Sequence, residues 1–68
     1  MEYKTLKTYK DGSRILSLSD GNEITVNENN VISRCEYPER LQSYKNAGFC
    51  KTKFYRHLMG HTDFILDI

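Results

Sequence analysis

Sixty-eight residues, 38% of them hydrophobic, make one small domain over residues 1–68, and a chain this short buries only about 60% of the surface it exposes when unfolded. Ten basic against nine acidic residues leave a formal net charge of +1, which excludes both an acidic mimic of DNA and a strongly basic nucleic-acid coat. No run approaches the roughly 20 apolar residues of a membrane span, the first residues lack the apolar stretch of a signal peptide, and two cysteines are too few for a disulfide scaffold, so the expectation is a cytoplasmic protein away from the membrane.

The first half reads as strands joined by tight turns. "YKTLKTYKDGSRILSLS" places strand-forming residues on both sides of Asp11-Gly12, a strong hairpin signal because the turn needs positive φ. A second Asp-Gly follows at Asp20-Gly21, then "EITV", where Ile24 and Val26 alternate with polar residues. "NENN" at 27 to 30 is a further turn, and "VIS" begins a short strand, giving a meander of three to four strands. Pro38 fits the first turn of a helix over about 38 to 47, with Glu39 near its positive end, Lys45 near its negative end and Gly48 as its stop. "FILDI", residues 64 to 68, reads as a closing apolar strand. The fold class expected is α+β: a small antiparallel sheet packed on one helix.

Positions 49 to 57 carry two readings. As a strand, Phe49, Lys51, Lys53 and Tyr55 share one side, and Cys50, Thr52, Phe54 and Arg56 the other. As a helix, Cys50, Phe54, His57 and His61 share a face. The crowding of Phe, Cys, Thr and Tyr favours the strand. The core would draw on Leu6, Ile15, Leu16, Leu18, Ile24, Val26, Val31, Ile32, Leu41, Phe49, Phe54, Leu58, Met59, Phe64, Ile65, Leu66 and Ile68. A core of this size supplies roughly 3–5 kcal/mol, so a partner, a metal or a second copy would add usefully to it.

Charge is uneven along the chain. Residues 34 to 61 hold six basic residues against Glu36 and Glu39, whereas residues 1 to 33 hold four against five. Cys35, Cys50, His57 and His61 are a complete zinc set by residue type, but the fifteen-residue gap between the cysteines does not match paired zinc ligands. The expectation is therefore no metal and no cofactor, with a small structural-zinc protein built on these four residues as the minor alternative. A Cys50–His57 pair has the types of a nucleophile and a base, yet no spacing supports it and no Gly-rich phosphate loop exists, so the expectation is not an enzyme. Lys51, Lys53, Tyr55 and Arg56 interleave charge and aromatic surface, with Tyr44 near by in sequence; these five are the predicted partner-binding residues. Five tyrosines are many for a core this small. The same row would suit nucleic acid, lysines on phosphates and a ring on a base, which is the alternative reading. Phe64, Ile65 and Leu66, apolar on both faces of a strand, are the predicted route to self-association or a homodimer. In its Lys, Asn, Ile and Tyr usage the chain resembles small accessory proteins of bacteria and their phages. The five tyrosines in so short a chain and the basic-aromatic row are what point to a non-enzymatic protein-binding module, a viral-type inhibitor or adaptor of a larger host protein.

Overall fold

The computed structural model describes residues 2–58 and 60–67; the side chain of Leu58, and Met59 and Ile68 among the predicted core residues, lie outside what it describes. The architecture is α+β. Four antiparallel strands, β1 (Tyr3–Thr8), β2 (Arg14–Leu18), β3 (Glu23–Val26) and β4 (Ile32–Cys35), follow one another as a meander. A 3-10 turn at Pro38–Arg40 runs into one short helix, α1 (Leu41–Asn46), and a hairpin of β5 (Cys50–Tyr55) and β6 (His61–Leu66) follows. A second 3-10 turn, Arg56–Leu58, lies inside that hairpin's connection. The extended reading of positions 49 to 57 thus holds through Tyr55, and the coiled one describes only the turn after it.

The meander owes its regularity to one turn used three times. At each turn the fourth residue donates its N–H to the carbonyl of the first: Gly12 to Tyr9, Gly21 to Leu18, and Asn30 to Asn27. The first residue in turn donates to the carbonyl of the residue beyond: Tyr9 to Ser13, Leu18 to Asn22, and Asn27 to Val31. The fourth residue has positive φ in each, at 91° in Gly12, 89° in Gly21 and 64° in Asn30. These positions fall nine residues apart, and Asn is the non-glycine residue that tolerates this backbone best.

Alternation along β2 and β3 sends Leu16, Leu18, Ile24 and Val26 to one face, where all four are buried. Tyr44 of α1, Phe49, Cys50 of β5 and Leu66 of β6 complete the core from above, with Ile32, Cys35, Leu41 and Phe64 packed around it. Rings fill much of the space: Tyr44 meets Phe49 edge-on at 5.9 Å, and Tyr3 tilts against Phe49 at 6.4 Å. β6 also reaches back to the meander. Val31 bridges Ile65, and Leu66 donates its N–H to Asn30 at 2.8 Å.

Two expectations are corrected here. The self-association strand is not a free surface: β6 pairs with β5 on one side and touches Val31 on the other, Leu66 is buried, and Phe64 packs on the core. Its double-sided apolarity reflects a central position. Leu6 is not a core residue, because the β1–β2 register shifts between Thr5 and Lys7 and leaves Leu6 as the extra residue of a bulge, 51% exposed. No helix among the described residues is long and apolar enough to cross a membrane.

Candidate functional site

A buried polar network fixes how the helix meets the meander. Asn22 follows the second turn and has no exposed surface. Its Nδ2 donates to the Tyr44 hydroxyl at 2.9 Å and the Tyr37 carbonyl at 3.3 Å, and lies 3.3 Å from the Cys35 sulfur. Its Oδ1 accepts the Tyr37 N–H at 3.1 Å. The Tyr44 hydroxyl in turn donates to Asp20 at 2.6 Å, and Arg40 sits 3.5 Å from the same carboxylate while donating to the Asp20 carbonyl. The hydroxyl holds the Asp20 carboxyl below the usual carboxylate range. Burial, with the facing Asp20 second, pushes the Tyr44 hydroxyl up. No buried side-chain oxygen or nitrogen among the described residues lacks a partner. Tyr44, predicted as a partner-binding residue, is therefore corrected: at 2% exposure with its hydroxyl spent on Asp20 and Asn22, it holds the fold. The sequence marks Asn22 only as a turn residue, since nothing local shows which side chain will meet it from 22 positions away.

The remaining predicted residues gather on the β5–β6 hairpin. Lys51, Lys53 and Tyr55 share one side of β5, the lysines exposed and the ring half-buried. Tyr55 is the centre of this group. The Lys53 ammonium lies 5.3 Å from its centroid, His57 meets it edge-on at 5.7 Å, and His61 tilts against it at 6.2 Å. Acids sit among the bases. Lys53 is paired across the ladder with Asp63, whose carboxylate is 2.6 Å from His61, and Lys51 lies 4.0 Å from Asp67. Arg56 opens the 3-10 turn and is exposed. Phe54, on the opposite side of β5 and expected in the core, is instead 58% exposed, its ring against Gly60. At the far end of the hairpin Phe54 is exposed on one side of β5 while Tyr55 stays half-buried on the other. Alternation assigns a side but does not show where the core beneath that side stops.

The zinc set does not assemble. Cys50 is buried and contacts the Leu41 carbonyl, Cys35 belongs to the Asn22 network, and His57 and His61 are exposed beside Tyr55. Among the described residues no group of three or more His, Cys, Asp or Glu comes together as a metal site. Burial pushes the Cys50 thiol up, away from the thiolate a nucleophile needs. No protein-family model matches the chain, and neither a curated protein nor a solved structure matches it.

Proposed function

We propose that the chain is a non-enzymatic protein-binding module of the cytoplasm, an inhibitor or adaptor that grips a larger protein through the far end of the β5–β6 hairpin. The observation that carries this reading is the exposure of Phe54 at 58% on one side of β5, close to the exposed Arg56, with Lys53 and Tyr55 on the strand's other side. Large rings flanked by arginine form the anchors of protein interfaces, where a ring buried by the partner outweighs rim charges. Cys35 and Cys50 are not joined in a disulfide, an arrangement that a reducing compartment allows.

Nucleic acid is the second reading, favoured by the Lys51–Lys53–Tyr55 row. Asp63 across from Lys53 and Asp67 beside Lys51 weaken it, because a phosphate approaching either lysine also meets a carboxylate. The decisive comparison is affinity capture with the wild-type chain and with a Lys53→Ala/Phe54→Ala/Arg56→Ala chain, the far-ultraviolet circular dichroism of both being matched. Loss of a stoichiometric partner only in the variant supports the hairpin reading, and equal capture sinks it. Oligonucleotide titrations at low and high salt give the second reading its own test: binding that weakens steeply with salt favours it, and none at low salt removes it.

A further inference from the structure

The outer edge of β1 carries a second surface, distinct from the hairpin and argued from different residues. Among the described residues β1 pairs with β2 alone, so its other edge is open. The ladder tells which groups face out. Ser19 donates to the Glu2 carbonyl at one end, so the alternation of an antiparallel pair turns the N–H and C=O of Tyr3 and Thr5 away from β2. All six residues of β1 are exposed, Tyr3 at 45% and Leu6 at 51%, and Tyr9 just beyond at 41%. The strand thus offers free backbone groups and apolar contact area together.

Charge selects the occupant. From Tyr3 to Lys10 the chain carries Lys4, Lys7 and Lys10 and no acidic residue. Lys4 stands opposite Ser17 and Lys7 opposite Ile15, so both project from the face turned away from Leu16 and Leu18. Among the described residues none of the three lysines is in a salt bridge. Edge lysines ordinarily keep other strands off. Here they do so selectively. A second copy of β1 would set lysine against lysine, whereas a strand with carboxylates on one face would neutralise them as cross-strand pairs.

We propose that β1 accepts an extended segment of a partner protein, acidic on one face and apolar on the other, as an added antiparallel strand. Backbone bonds to Tyr3 and Thr5 supply the hold, and Lys4 and Lys7 supply the choice of sequence.

The test uses the isotopically labelled full chain and three capped octapeptides: alternating valine–glutamate, alternating valine–lysine, and the glutamate peptide with a central proline. The expected result is saturable amide shifts centred on Tyr3–Thr8 with the glutamate peptide, and binding at least about tenfold weaker for the other two. Lys4→Glu/Lys7→Glu is expected to lose the glutamate peptide and gain the lysine one. Thr5→Pro removes an outward N–H without taking a bond from β2 and is expected to weaken the glutamate peptide in a chain whose remaining amide spectrum stays dispersed. Three results overturn the proposal. They are no shift at β1, equal binding by the charge-reversed chain, and a sedimentation dimer that the peptide fails to dissociate. In the first case, shifts found instead at Lys51–Tyr55 leave the hairpin reading standing.

Discussion

Asn22 and Tyr44 hold their hydrogen bonds inside the core, Asn22 at 0% and Tyr44 at 2% exposure. A side chain with no exposed surface makes its hydrogen bonds where water cannot replace them, so removing it orphans its partners. Asn22→Ala strands the Tyr37 N–H and takes the second partner from the Tyr44 hydroxyl, an expected loss of about 2–3 kcal/mol. Tyr44→Phe keeps the ring against Phe49 and removes only the hydroxyl, so about 0.5–1.5 kcal/mol is expected. Urea titrations rank the two. An Asn22→Ala chain within about 0.5 kcal/mol of wild type would show that the network is not a principal constraint. None of this was readable from residue type. Asn after Asp-Gly is ordinary turn chemistry, and a tyrosine on a short amphipathic helix is as good a candidate for the surface as for the core. What separates them is whether a polar partner waits beneath, and that partner comes from another element.

At the scale of elements, the three turns make a controlled comparison. Gly12 and Gly21 share a backbone conformation, with φ at 91° and 89°, but not their surroundings. A Cβ on Gly12 would lie 2.8 Å from the Glu28 Cβ, whereas one on Gly21 would meet nothing within 4 Å. Gly21→Ala is therefore expected to cost about 1–2 kcal/mol, the strain of a left-handed non-glycine residue alone. Gly12→Ala is expected to cost that and more, because the first and third turns press together. Thermal unfolding of the two variants checks this, and equal midpoints would remove the contact argument. The turns themselves stand openly in the chain as Asp-Gly, Asp-Gly and Asn-Asn, since positive φ leaves few residue choices. The β1 bulge does not show there. Leu6 fits an alternating pattern, and only the register against β2 makes it the extra residue.

Across the whole molecule, pH couples the network to folding. Folding holds Asp20 more acidic than in the unfolded chain. Its contribution is present above the unfolded carboxyl value of about 3.9 and is lost as pH falls through the lower folded value. Asp11, held down by the Ser13 N–H, acts in the same direction. Tyr44 and Cys50 shift upward, so their contributions are present below unfolded values of about 10 and 8.5 and are lost as pH rises through the folded ones. The melting temperature is expected to plateau from about pH 5 to about pH 8 and to fall on either side. Tyr44→Phe should shallow both flanks, acid because Asp20 loses its donor and alkaline because the hydroxyl is gone. A variant with both flanks unchanged would detach the pair from the pH dependence.

The turn positions and the helix between Pro38 and Gly48 were determined by the sequence itself, because each depends on backbone geometry that a few residue types permit; the run after Gly48 was only favoured as extended, and the closing strand, expected at 64 to 68, lies at His61–Leu66. The sides of β5 followed from period two. Exposure did not. Phe54 lies outside the core, and Tyr44 lies inside it, where its hydroxyl meets Asn22. Leu66 became central rather than sticky only when β6 came to rest between β5 and Val31. Burial belongs to pairs of elements. It is decided where long-range packing brings surfaces together, and neither surface alone carries that information.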